Sequence, residues 1–172
     1  IIADDDAVPA SLADQPCSSR PGQVDDFFRY LEHGFITTQV SSSDGHNDLK
    51  EPGYPRTYFQ SPTDAPLGLT TDDAVKALKA GQAFSTYGPF VWAQIEGKTY
   101  GEVVSAAPGA DLEMLLDVRT ASWFGVDRVE IYVNGRIARL YQPDVPVTEL
   151  HDLKGKVPLS VPNRDSWVVI VA

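Results

Sequence analysis

The tetrapeptide Ser43-Asp44-Gly45-His46 sets a carboxylate and an imidazole two residues apart. Along an extended segment residues i and i+2 point to the same side, so Asp44 and His46 can converge on one divalent metal ion. The spacing is short and common, and a loop aspartate also serves to hydrogen-bond its own backbone. The other candidate ligands are few. His33 falls in the last turn of an expected helix, where a cation suits the helix C-terminus. His151 follows Glu149 and Leu150 at the expected end of a strand and reads as a surface histidine. Cys17 is the single cysteine, which excludes an internal disulfide and any thiolate cluster. The run Asp4-Asp5-Asp6 reads as solvated charge. No G-x-S-x-G elbow, phosphate-binding glycine loop or H-E-x-x-H pair occurs. Trp123, beside Phe124 and between strands, can stack on a sugar or a partner, or plug the end of a sandwich.

Composition narrows the function classes. A chain of 172 residues with 42% hydrophobic and 22% charged residues can bury a substantial core. Its net charge of −10 repels a phosphate backbone, so no nucleic-acid partner is expected. No apolar run reaches the roughly 18 residues that span a bilayer, and no membrane partner is expected. The acidic balance and single cysteine fit a secreted or periplasmic bacterial protein. The chain opens at Ile1 without a methionine and closes on the strand-like Val168–Ala172. Both ends read as cut, as in a section of a longer protein.

The elements that must position these residues follow from periodicity. Residues 1–23, rich in Asp, Ser, Pro and Ala, form an irregular lead-in. Val24, Phe27, Phe28 and Leu31 fall at i, i+3, i+4 and i+7, with Asp25 and Asp26 in the first turn and Gly34 beyond the end, which predicts an amphipathic helix. Phe35–Val40 is β-branched and aromatic and predicts a strand leading into Asp44-Gly45-His46. Glu51–Gly68, interrupted by four prolines, predicts a long irregular loop. A second helix is capped by Thr70 or Thr71 and closed by Gly81, with Ala74, Val75 and Leu78 toward the core. Beyond Gly81 short strands alternate with turns: Ala83–Tyr87, Phe90–Ile95, Leu112–Val118, Val126–Val133, Arg136–Tyr141, Val145–Leu150, Val157–Val161 and Ser166–Val171. This spacing predicts a β-sandwich, with Trp92 and Trp167 in its core. Asn134-Gly135 predicts a two-residue type I′ turn. In the strand before it one of the two alternating faces is core. The expected fold class is mainly β (α+β) with about two helices.

Asp44-Gly45-His46, followed by Pro52-Gly53-Tyr54-Pro55-Arg56-Thr57-Tyr58, resembles the last part of metallohydrolases of the polymerase-and-histidinol-phosphatase (PHP) superfamily, in the carbaryl-hydrolase-like branch. The resemblance extends to Asp25–Leu31, to Ala77-Leu78 with Gly81, Thr86, Gly88, Pro89 and Phe90, and to Ser122-Trp123, Val126–Val129, Val133–Gly135 and Asp165–Val169. It implies that residues 24–88 are the tail of a β/α barrel and residues 89–172 an appended β-sandwich. It also implies a two- or three-metal site of zinc, manganese or iron that activates water for hydrolysis. Asp44 and His46 match late ligands of that site, and Arg56 and Tyr58 would sit at its mouth, with Arg56 toward a polar or anionic substrate. Gly45 stands where the family has serine. The implied substrate is a small phosphoester, carbamate or amide. The family's H-x-H signature and its further ligands have no counterpart in the chain, so no catalytic residue set is complete. The chain is expected to be inactive without an upstream partner segment of the same protein. Two other readings stay open: a noncatalytic sandwich module that binds through Trp123, and a degenerate barrel kept for structure.

Overall fold

A computed structural model describes residues 23–46, 53–142 and 151–172. Cys17, the Asp4–Asp6 run and the strand expected at Val145–Leu150 lie outside the described residues. Among the described residues the fold is mainly β with two α-helices, as the sequence predicts, and it is built of small antiparallel sheets. Helix α1 spans Gln23–Glu32 and α2 spans Thr71–Lys79. The strands are β1 (Arg56–Phe59), β2 (Ala83–Thr86), β3 (Phe90–Ile95), β4 (Asp111–Arg119), β5 (Val129–Val133), β6 (Arg136–Tyr141), β7 (His151–Ser160) and β8 (Val168–Val171). Strands β1 and β2 pair with each other, while the rest form two three-stranded sheets, β3-β4-β7 and β6-β5-β8.

These two sheets face each other. Met114, Leu116 and Val118 of β4, Ala93 of β3, and Val157 and Leu159 of β7 pack against Val129 and Ile131 of β5 and Tyr141 of β6. Helix α1 then covers the opposite face of β6-β5-β8, where Phe28 meets Tyr132, Ile137 and Leu140. Its ring lies 4.9 Å from Tyr132 and 5.1 Å from Trp167, centroid to centroid. The order of layers is therefore helix, sheet, sheet. Both faces of β5 are buried, not one as alternation alone predicts, and every residue of the strand is buried. The polar residue on its helix side is Glu130, 1% exposed, which accepts from the Tyr132 hydroxyl at 2.6 Å and faces the Arg128 Nε at 3.4 Å. Asp25 on α1 is also buried and pairs with Arg29 one turn on, at 3.2 Å.

Turn chemistry fixes the joints. Asn134 and Gly135 both take positive φ, +50° and +76°, as the two-residue hairpin requires. The Asn134 side chain extends the β5-β8 pairing, accepting from the Trp167 amide at 3.0 Å. Thr70 and Asp73 form a reciprocal capping box at the start of α2. At the other end of α2 the backbone crosses the turn at Gly101 so closely that a Cβ there would lie 1.9 Å from the Ala80 carbonyl oxygen.

Several expectations are corrected. Phe35–Val40 joins no sheet among the described residues. Residue preference needs a neighbouring strand to become a ladder, and none of the described strands pairs with this segment. The proline-rich stretch is more regular than predicted: it carries β1 and a 3-10 turn at Pro66–Gly68, because its prolines flank Arg56–Phe59 and do not interrupt it. Strand β7 starts at His151, well before Val157, so His151 opens a strand where the end of one was expected. On α2 the buried residue is Ala77, and Val75 is exposed. Trp92 is 39% exposed, on the outer face of β3, while its neighbours Val91 and Ala93 point inward.

Candidate functional site

Asp44 and His46 end the segment that follows α1. Asp44 takes φ +47°, a left-handed conformation that a short polar side chain tolerates better than most. With that backbone its Oδ1 lies 2.6 Å from the His46 Nε2. Both side chains are exposed. The carboxylate and imidazole thus lie on one side of the loop and meet.

Hydroxyl groups pin this loop to β1. The Ser41 amide donates to the Thr57 Oγ1 at 2.8 Å, the Thr57 hydroxyl returns a bond to the Ser41 carbonyl at 2.9 Å, and the Ser41 hydroxyl donates to the Arg56 carbonyl at 2.9 Å. Thr38 adds a bond from its hydroxyl to the Leu78 carbonyl at the end of α2. The two residues between Ser41 and Asp44 therefore connect the acid–imidazole pair to the first residues of β1.

Arg56 opens β1 opposite Thr86 of β2. Its guanidinium folds back on its own loop: Nη1 donates to the Gly53 carbonyl at 2.9 Å, Nε donates to the Tyr58 hydroxyl at 3.1 Å, and Cζ lies 5.5 Å from the Tyr58 ring centre. Arg56 and Tyr58 are thus one unit, as i and i+2 on a strand allow. Tyr58 in turn stacks on Phe84 at 5.5 Å and meets Phe90 edge-on at 5.5 Å. Tyr54 and Tyr87 form a separate T-shaped pair at 5.3 Å. Phe84 and Tyr87 carry no sequence signal beyond their aromatic character, and only the β1-β2 register reveals their place. The shallow open cleft of about 230 Å³ between α2 and β1, lined by Gln60, Ser61, Asp73, Lys76 and Gln82, includes neither Asp44 nor Arg56.

Trp123 is 87% exposed in the turn after β4, while its neighbour Phe124 packs over Gly88. None of the ring contacts among the described residues joins Trp123 to the aromatic side chains of β1 and β2. Of the sequence-predicted residues, the structure joins Asp44 to His46 and Arg56 to Tyr58, and leaves Trp123 by itself.

No family model, no curated protein and no solved structure matches the chain. The donor set must therefore be judged on its own chemistry. A carboxylate and a neutral imidazole are ordinary ligands for zinc, manganese or iron, so Asp44 and His46 fit such an ion as two of its ligands. A hydrolytic centre needs more. Among the described residues no group of three or more histidine, cysteine, aspartate or glutamate side chains is gathered as a metal site. Also among the described residues, no helix is long and apolar enough to cross a membrane.

Proposed function

We propose that the chain is the C-terminal section of a metal-dependent hydrolase of the PHP type, and that it contributes two late metal ligands, Asp44 and His46. The observation that carries this reading is the 2.6 Å approach of the Asp44 carboxylate to the His46 imidazole on a loop tied by Ser41 and Thr57 to the Arg56 strand. In the complete protein a metal held there would acidify a bound water and polarise the bond to be cleaved. The chain's own share is orientation. Asp44 and His46 present their donors together, and Arg56, steadied by Gly53 and Tyr58, places a cation beside the loop for a polar or anionic group of the substrate. An upstream segment of the same protein would supply the remaining ligands and cover Phe35, Ile36 and Val40, which are exposed. Two ligands alone hold a divalent ion weakly, so this chain is inactive by itself.

Calorimetric titration with zinc and manganese tests the ligand assignment. Weak binding that vanishes in His46→Ala supports it, and binding indifferent to that substitution removes it. In the full-length protein Asp44→Ala should abolish hydrolysis of the phosphoester, carbamate or amide substrate, and an undiminished rate would sink the proposal. The exposure of Trp123 favours a second reading, a noncatalytic module that takes a glycan or partner on that indole. A glycan array or pull-down unaffected by Trp123→Ala counts against it.

A further inference from the structure

Ser41 is bound as a strand residue is, but by a side chain. In an antiparallel hydrogen-bonded pair the two partners exchange N–H and C=O through their backbones. Here the Thr57 hydroxyl takes both parts: its Oγ1 accepts from the Ser41 amide at 2.8 Å, and its proton goes to the Ser41 carbonyl at 2.9 Å. The Ser41 hydroxyl closes the set on the Arg56 carbonyl at 2.9 Å. A β-branched residue suits the task, since the second substituent on its Cβ restricts χ1 and so fixes where the hydroxyl stands.

Alternation along β1 separates Thr57 from its neighbours. Arg56 and Tyr58 share one side of the strand, where Gly53 and Tyr58 hold the guanidinium, and Thr57 points from the other. The strand thus carries a cation on one side and the tie to the Asp44-His46 loop on the other, one residue apart. A movement of that loop against β1 is a movement of Asp44 and His46 against Arg56.

The acid and the imidazole need no help to meet each other, since only Gly45 lies between them. Their place relative to Arg56 is what the tie sets. Asp44 stands three residues beyond Ser41, a leash of at most about 10 Å of extended chain. Among the described residues the next hydrogen bond back along the segment is that of Thr38 to the Leu78 carbonyl, six residues from Asp44 and about 20 Å of chain. Doubling a flexible leash cuts the effective concentration of its end about threefold.

We propose that Thr57 is a positioning residue: acting through Ser41, its hydroxyl fixes where Asp44 and His46, with any metal ion they hold, stand relative to the Arg56 guanidinium. This role rests on the reading of Asp44 and His46 as metal ligands, and adds to it what keeps them in step with the side chain that faces the substrate.

NMR of the isotopically labelled chain, titrated with manganese, tests the role, because the paramagnetic ion broadens amide signals near it. In the parent, manganese broadens Gly45 and His46 and with them Arg56 and Tyr58, and His46→Ala removes both effects. Thr57→Val, which keeps a β-branched side chain without the hydroxyl, leaves the broadening at Gly45 and His46 and lowers that at Arg56 and Tyr58 about threefold or more. Thr57→Ser returns the hydroxyl and restores the parent pattern, a rescue that a role for the methyl group alone would not give. Equal broadening of Arg56 and Tyr58 in Thr57→Val and the parent overturns the positioning role and leaves the ligands in place, as does a parent in which Gly45 and His46 alone broaden. Manganese that broadens neither pair in the parent, or both as strongly in His46→Ala, overturns the ligand reading and the role with it. Should Thr57→Val fail to fold by circular dichroism, Ser41→Pro decides in its place, because it removes the amide and hydroxyl that meet Thr57 and Arg56 and leaves β1 untouched. Lowered broadening at Arg56 in that variant supports the role, and parent-level broadening overturns it.

Discussion

In the sandwich, the central strand β5 has an apolar layer on each side, and its residues are buried throughout. The segment from Phe35 to His46 has no such layer, and Phe35, Ile36 and Val40 face solvent. The first region is held by side-chain burial at roughly 1.5–3 kcal/mol for each large apolar group. The second is held by a few hydroxyl bonds, those of Thr38, Ser41 and Thr57, each contributing roughly 0.5–1.5 kcal/mol. The candidate metal ligands thus sit on the weaker region, and the structural free energy sits elsewhere. A loop so held can be reordered by whatever covers it without disturbing the sandwich.

The largest expected effect on this contrast comes from Phe28→Ala. The ring is 2% exposed and joins α1 to Tyr132 and Trp167, so its removal should cost roughly 3–5 kcal/mol in urea denaturation. A loss below about 1 kcal/mol would mean that α1 is not part of the sandwich's cooperative unit. Gly101→Ala comes next. Its φ of +72° alone costs a substituted residue roughly 1–3 kcal/mol, and the approach to the Ala80 carbonyl adds to that. Unchanged thermal stability in this variant would show that the backbone crossing is not maintained in solution.

Thr70→Ala should lower stability by about 1 kcal/mol through loss of the α2 cap, an effect readable in the same denaturation curves. Smaller still is a pH effect at the same cap. Hydrogen bonds from the Thr70 side chain and then its backbone lower the pKa of Asp73, and those from the Thr99 amide and then Lys98 lower that of Glu102. Because both folded-state values lie below the unfolded ones, the stabilisation is present above the ordinary carboxylate range near pH 4 and is lost as pH falls through the folded values. Melting curves of Asp73→Asn should fall less steeply in acid than those of the parent, and parallel acid limbs would remove the capping box from the account.

The legibility of the two regions differs as their packing does. Helix α1 shows in the spacing of Val24, Phe27, Phe28 and Leu31, and the hairpin shows in Asn134-Gly135, because in both a local rule suffices. The full burial of β5 does not show: Glu130 reads as a solvent-facing residue until α1 is placed over it. Trp92 misleads for the converse reason, since an indole in a strand reads as core when only the register with Asp117 and Lys154 puts it outside. At the candidate site Asp44 and His46 do meet, but with Asp44 at φ +47° and not along the extended segment that the i, i+2 rule assumes. Their joining to β1 through Ser41 and Thr57, sixteen residues apart in sequence, depends on folding that no local pattern encodes.

The crossing of Gly101 over the end of α2 makes residues 81 to 101 a closed circuit, since the two glycines at its ends touch through their backbones. Strands β2 and β3 and the turn between them lie within it. The circuit is also joined outward, because β2 pairs with β1 and β3 with β4. Residues added to or removed from the turn at Tyr87-Gly88-Pro89 would disturb its Thr86 bonds and the Phe124 contact on Gly88, while the backbone contact at Gly101 would still hold the end of α2 to the turn that follows β3.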